Sequence, residues 1–176
     1  MAEALDLLNE VGVDGLTTRA LAERLGVKGP SLYWHFASRR ELLDHMAAVM
    51  LAGEMPAPGA FAGDWAYWLA EGARAIRRAA NSRRDGARVL AGARPTEASP
   101  DYAAITRRLR VEGFAAGEAR ATFLALGRYA LGWVLNEQVA REPRAASDAD
   151  FEFGLAAMIH GVVALHAATH NQETAP

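Results

Sequence analysis

Apolar residues recur along this chain at helical spacing, and no stretch alternates in the manner of a half-buried strand. That pattern confines the fold to packed helices. Residues 2–11 place Leu5, Leu8 and Val11 on one stripe, and Gly12 is a natural stop. Thr17 can cap a second helix that runs through Leu21, Ala22 and Leu25 to Gly26. Pro30 suits the first turn of a short third helix. Ser38 and Glu41 form an S-x-x-E capping box that opens a fourth helix, whose apolar positions are Leu42, Leu43, Met46, Val49 and Met50. Further helices are expected at about 64–80, 85–91, 100–112, 116–140 and 149–170, with Ser99 and Ser147-Asp148 as start signals.

The chain has 176 residues, 51% of them apolar, which is enough to bury a real core without covalent staples. It has no cysteine. A disulfide scaffold, a thiolate metal site and a cysteine nucleophile are therefore excluded. No run of about 18 uncharged apolar residues and no signal peptide are visible, so a cytoplasmic protein without a membrane span is expected.

Gly53 to Gly63 is rich in Pro and Gly and reads as a junction. We expect a helix-turn-helix domain over 1–44 and a larger domain over 45–176, bridged by a helix at about 39–53. The helices at about 116–140 and 149–170 are apolar around more than one face. Such helices are either fully central or buried against a partner chain. In so small a chain they predict a homodimer joined by two helices from each subunit, with Gly127, Gly132, Gly154 and Gly161 allowing close approach.

Residues 17–35 carry the most informative pattern. A small residue, Ala22, lets two helices cross, Gly26 makes the tight turn, and Val27 and Leu32 anchor the second helix on the first. This is the packing of a helix-turn-helix, whose second helix enters a major groove of double-stranded DNA. Net charge is −2, yet residues 17–40 hold Arg19, Arg24, Lys28, Arg39 and Arg40 against Glu23 alone. Thr18 and Arg19 sit at a helix start, where backbone N–H groups favour a phosphate. Tyr33, Trp34 and His35 offer donors and flat surfaces near the DNA backbone, and Arg39 a second phosphate clamp. Lys28 and Ser31 are the candidates for reading base edges. Gly29 reads nothing, and Pro30 reads only through apolar contact. Tyr33 and Trp34 also suit an ordinary core.

These residues carry a resemblance. The run LDLLNEVGVDGLTTRALAERLGVKGPSLYWHFASRRELLD looks like the DNA-binding domain of the tetracycline-repressor (TetR) family. The LYWH tetrapeptide, RRDGARV with GARPTE at 83–97, ALGWVLNEQ and FEFGLAAMIHGV are similar to the tetracycline repressors themselves. The resemblance implies an all-α homodimer that represses transcription at a palindromic operator and releases it when a small molecule binds. It places Thr18, Arg19, Lys28, Gly29, Pro30, Ser31, Tyr33, Trp34, His35 and Arg39 on DNA-contacting positions. Gly29 stands where tetracycline repressors carry a base-reading glutamine, so a different operator is expected. The basic arm that family members carry ahead of the first helix is not in this sequence.

The ligand side departs further. Tetracycline repressors bind a magnesium–tetracycline chelate. Here Leu90 aligns with a metal-shell histidine, Arg128 with a histidine near the chelate and Asn136 with a glutamate. Magnesium needs oxygen ligands and negative charge, which these residues scarcely supply. Met55, Gly72, Ile76 and Ile105 align with positions that hold the drug's polar groups, while Arg94 and Pro95 are retained. We expect a cavity lined also by Trp68, Leu109 and Trp133, taking a flat hydrophobic effector other than magnesium–tetracycline. Arg94 and Arg128 either hold an acidic group of that ligand or pair with Glu97, Asp101 or Glu112. By analogy with the family, the ligand shifts the helix at 85–91 and the loop at 92–97, tilts the fourth helix and changes the spacing of the recognition helices.

No cofactor and no metal are expected. His160, His166 and His170 offer only one i, i+4 pair and read as exposed helix residues. Asp148, Asp150 and Glu152 suit the first turn of a helix, and Arg83, Arg84 and Asp85 a helix start. No catalytic motif is visible, so an enzyme is not expected. The alternative to a regulator is a helical small-molecule-binding dimer or carrier that does not bind DNA.

Overall fold

The computed structural model describes residues 1–57, 59–61, 63–93, 100–140 and 144–173. Among them the chain forms α1 (Ala2–Gly15), α2 (Thr18–Leu25), α3 (Gly29–Tyr33), α4 (Arg39–Ala52), α5 (Trp65–Asn81), α6 (Gly86–Gly92), α7 (Pro100–Val111), α8 (Ala116–Ala140) and α9 (Arg144–Glu173). The described residues are helices and turns, without a strand.

Local signals set most of these boundaries. Gly12 breaks α1 at φ 72°, a left-handed value that costs glycine little. Thr17 Oγ1 accepts from the Ala20 N–H at 3.0 Å and so caps α2. Gly26 ends α2 in the left-handed region, while the N–H of Val27 reaches back to the Ala22 carbonyl at 3.0 Å. Ser38 Oγ accepts from the Glu41 N–H, and the Glu41 carboxylate reaches back to accept from the Ala37 N–H at 2.6 Å, one residue ahead of the N-cap of the expected box. Asp64 caps α5 by accepting from the Tyr67 N–H at 2.8 Å.

One boundary departs from expectation. α9 starts at Arg144, so Ser147 lies inside the helix and is no cap. Its hydroxyl is buried and donates to Glu137 Oε1 at 2.5 Å.

Two apolar clusters form the interior. The first gathers Leu8, Leu16, Leu21, Leu32, Leu42 and Met46 with Ala79, Ala80, Leu90 and Val134. It runs across residue 44 without interruption, because α6 and the end of α5 pack on α4. The second gathers Trp68, Leu69, Ile105, Leu109, Phe114, Leu126, Phe151 and Leu155 from α5, α7, α8 and α9. Burying a side chain such as Leu42 or Leu155 is worth about 1.5–3 kcal/mol.

Some expected anchors face water instead. Val27 is 44% exposed, so Leu32 alone of that pair fastens α3. Val11 and Val49 are exposed on stripes whose other members are buried or, for Leu43, half-buried. Gly154 is the one glycine of the expected four that makes a close approach within a single chain, where a Cβ would stand 2.4 Å from Tyr129 Oη. On α9, Phe153 is 79% and Leu165 72% exposed. Residues Ser147–Thr169 reach a mean hydropathy of 1.5 and are long enough to cross a membrane by composition alone, which sequence inspection did not anticipate. One flank of this helix is nonetheless fixed within the chain, since Phe151 and Leu155 are fully buried and Glu152 pairs with Arg74 at 2.6 Å.

Candidate nucleic-acid interface and effector cavity

The packing of α2 on α3 leaves one polar face outward. Arg19 is exposed and meets Glu23 at 2.9 Å one turn away. An exposed pair of this kind is worth little, so a phosphate competes for the arginine easily. Lys28 precedes α3 and makes no ion pair among the described residues. Ser31 and His35 are exposed, Thr18 is half-buried, and Gly29 has open space where a Cβ would stand. Trp34 is 90% exposed, so it is not a core aromatic. Pro30 and Tyr33 belong to α3, but their side chains lie outside the described residues.

Two basic residues do other work. Arg39 Nε donates to the Leu16 carbonyl at 2.8 Å, and Nη2 donates to the Val13 carbonyl. Its guanidinium ties the start of α4 to the end of α1 and is not a free phosphate clamp. The reason is local: α1 ends in carbonyls without helical partners, and an arginine fork satisfies two at once. Arg24 lies between Glu3 and Glu10 at 2.7 Å each, which hold its pKa above the ordinary arginine value. The basic excess of residues 17–40 is therefore smaller on the folded surface than in the sequence.

In the C-terminal half, Met55, Trp68, Gly72, Ile76 and Ile105 converge on one cavity, as expected. Sequence reasoning missed its other wall, Phe123, Leu126 and Gly127 of α8, together with Leu69 and Ala73 of α5. Phe123 and Leu126 had been visible as apolar, but not which side of α8 turns inward. The free volume is about 30 Å³, room for a water or two and far below a drug-sized ligand. The Arg108 guanidinium lies 4.4 Å over the Trp68 ring and donates to the carbonyls of Ala60 and Phe61. Trp68 Nε1 donates to the Ala57 carbonyl at 3.1 Å. Ala57, Ala60 and Phe61 are thus tied by their carbonyls to α5 and α7.

Five expected ligand residues lie elsewhere. Leu90 belongs to the first core cluster, since the short α6 turns this face to α4. Leu109 is fully buried in the second cluster without lining the cavity. Trp133 Nε1 donates to Ser147 Oγ at 2.9 Å, away from the cavity. Arg128 is exposed, and Asn136 is exposed with its amide on the Gly132 carbonyl at 3.1 Å. Arg94 and Pro95 lie outside the described residues. Leucine, an outward arginine and an outward asparagine offer no oxygen cage, so these residues do not fit a magnesium chelate. Among the described residues no group of three His, Cys, Asp or Glu could hold a metal ion.

His166 also departs from expectation. It is half-buried, its ring stacks on Phe114 at 4.0 Å and a ring nitrogen meets the Glu112 carbonyl at 3.1 Å. His160 is exposed, and the side chain of His170 lies outside the described residues.

Two polar joints were not foreseen. Asp85 Oδ2 accepts from the Val13 N–H at 2.9 Å, Arg84 reaches Asn9 and the Glu10 carbonyl, and Arg88 grips Asp14 through both nitrogens at 2.8 Å. These bonds lock α6 to the end of α1. The second joint is half-buried. Arg77 pairs with Glu137 and with Asp148 at 2.6 Å, while Asn81 and Ser147 also donate to Glu137. Burial disfavours the Glu137 carboxylate, but the hydrogen bonds from Arg77, Ser147 and Asn81 outweigh it and lower the pKa to about 2. The Arg77 guanidinium also lies 4.5 Å over the Phe151 ring.

Comparison with known proteins agrees with this geometry. A family model described as bacterial regulatory proteins, tetR family, matches residues 1–46, and one described as tetracyclin repressor-like, C-terminal domain, matches residues 55–147. The tetracycline repressor protein class A from transposon 1721 of Escherichia coli is 41% identical over 97% of this chain and 91% of its own length. A variant TetR from Acinetobacter baumannii, solved in complex with minocycline, superposes with a TM-score of 0.83 at 44% identity, covering 94% of each chain. A class A TetR solved with 5a,6-anhydrotetracycline and magnesium gives 0.76 at 43% identity, covering 92% of this chain and 94% of that one.

Proposed function

Because this chain belongs to the tetR family of DNA-binding, helix-turn-helix transcription regulators, we propose that it is a ligand-responsive repressor acting as a homodimer on a palindromic operator. The observation that carries this reading is the run of exposed residues on α2, α3 and the caps of α3: Arg19, Lys28, Ser31 and a 90% exposed Trp34. Lys28 and Ser31 read base edges, while Thr18, Arg19, Trp34 and His35 meet the DNA backbone. Gly29, Pro30 and Tyr33 stand on the same short helix. Residues 1–44 form the DNA-binding unit and 45–176 the effector and dimerisation unit. They are coupled mechanically through α4 and α6.

A second copy of the chain covers the apolar face of α8 and α9. Val139, Phe153, Val163 and Leu165 stand in water in the single chain, and a four-helix interface buries them. The dimer sets the two recognition helices about 34–36 Å apart, one turn of DNA.

The effector is a small, largely apolar molecule other than magnesium–tetracycline, because the described residues of the cavity wall offer no metal-binding side chain. It binds by widening the closed cavity between α5, α7 and α8. The widened cavity displaces α6, and the Asp85 and Arg88 bonds carry that motion to α1. A ligand releases DNA only by binding the displaced state better than the DNA-bound state. No catalytic step belongs to this role.

Fluorescence anisotropy on DNA flanking the gene, at two salt concentrations, tests the reading. Sequence-selective, salt-dependent binding by a dimer supports it. Equal affinity for random duplex overturns it.

A further inference from the structure

A groove opens between α7 and the first turns of α8. Its volume is about 740 Å³, within the range of small-molecule sites and far larger than the closed cavity beside it. Arg107, Arg110 and Arg120 line it, and all are exposed. None makes an ion pair or hydrogen bond among the described residues, whereas Arg24, Arg74, Arg77, Arg78 and Arg88 all pair with carboxylates. Among the described residues no carboxylate lines the groove.

Three unpaired guanidiniums in one concavity repel each other and focus a positive field. A bound anion relieves both. Arg107 and Arg110 are three apart on α7 and share a face, with Arg120 presented by α8. Guanidinium forks hold a carboxylate or phosphate through paired N–H donors.

The groove also has an apolar side that leads inward. Tyr102 lines it and meets Phe123 edge-on at 5.3 Å, and Phe123 lines the closed cavity. Thr106 faces the groove while its neighbour Ile105 faces the cavity. The Tyr102–Phe123 pair is thus the partition between the two spaces.

We infer that this α7–α8 groove binds an organic acid, its carboxylate or phosphate held by Arg107, Arg110 and Arg120 and its apolar ring resting on Tyr102 and Val111. The inference rests on reading the C-terminal half as an effector domain, and it places anion selectivity in this groove rather than at the outward Arg128. The ring displaces the Tyr102–Phe123 partition and reaches the cavity, while the acid stays at the rim.

Isothermal titration calorimetry on the full chain tests it with 2-naphthoate, 2-naphthyl phosphate and neutral 2-naphthamide. Both acids are expected to bind about ten-fold or more tightly than the amide. The tighter acid identifies carboxylate or phosphate as the natural group. The double variant Arg110→Gln, Arg120→Gln is expected to lose about ten-fold for the acids and nothing for the amide, while Arg128→Gln, outside the groove, binds as the parent does. Equal binding of acids and amide, no binding of either acid, or an unaffected double variant overturns the inference. Operator binding measured on the same samples separates the two readings: DNA binding intact without acid binding removes this inference alone, whereas acid binding without DNA binding removes the regulator and leaves the groove assigned.

Discussion

The carboxylate of Asp85 accepts a hydrogen bond from the backbone N–H of Val13 at 2.9 Å, across 72 residues of sequence. It does so beside Gly12, where a Cβ would stand 2.7 Å from the same oxygen. Asp85 itself has φ 55°, a left-handed value that aspartate tolerates better than most residues. Two unusual backbone positions therefore meet at the joint between α1 and α6. The joint lies between the surface proposed to hold DNA and the half proposed to hold the effector.

Asp85→Ala should lose this bond and add left-handed strain, at about 1–3 kcal/mol together. Asp85→Asn keeps an acceptor and should cost less. Urea denaturation of both variants checks this; equal losses would show that the bond contributes nothing. In an operator-release assay, Asp85→Ala should also need more effector than Asp85→Asn.

Arg39 and Arg19 should separate cleanly. Arg39→Ala leaves two carbonyls at the end of α1 without their donor and should lower stability by about 1–3 kcal/mol. Arg19→Ala removes an exposed side chain and should leave stability within about 0.5 kcal/mol. It should instead weaken binding to all DNA sequences alike and reduce the salt slope by about one. Thermal melts and anisotropy at two salt concentrations read the two effects; an Arg39→Ala protein with parental stability contradicts the structural role.

Acid should unlock the Arg77–Glu137 joint. The Glu137 pKa falls from 4.5 to about 2 on folding, so its contribution is complete above the unfolded value and lost as pH drops toward 2. The shift corresponds to ~3 kcal/mol. The side chains of Arg77 and Glu137 are 13% and 15% exposed, so solvent screening takes little from this. Between pH 6 and 3 the parent should lose stability more steeply than Glu137→Gln. Parallel curves would place the joint outside the stability of the fold.

Phe153→Glu and Leu165→Glu put charge on the outward face of α9, at residues that belong to neither apolar cluster. Each should shift sedimentation toward a monomer and weaken operator binding, with helical content retained. A dimer that survives both substitutions would place the interface elsewhere.

Much of the fold could be read from the chain because helices are local objects. The Thr17 cap, the left-handed Gly26 and the Ser38–Glu41 box act within four or five residues, and each was visible as a short pattern. Helical apolar spacing likewise announced an all-α protein, and Ala22 with Gly26 announced the crossing of α2 and α3. Five of the expected cavity residues converge because they sit on helical faces whose inward side the spacing defines.

What only the tertiary structure decided is which face meets which. Leu90 joins the N-terminal core because α6 packs on α4, a contact between segments some forty residues apart. Arg39 turns to carbonyls of α1, Ser147 is drawn into the Glu137 joint, and Arg128 faces outward while Phe123 and Leu126 face the cavity. The partners of these side chains lie 10 to 60 residues away or on another helix. An i→i+4 pattern fixes that a helix forms and which residues share a stripe, but the direction of that stripe follows from close packing of the whole chain.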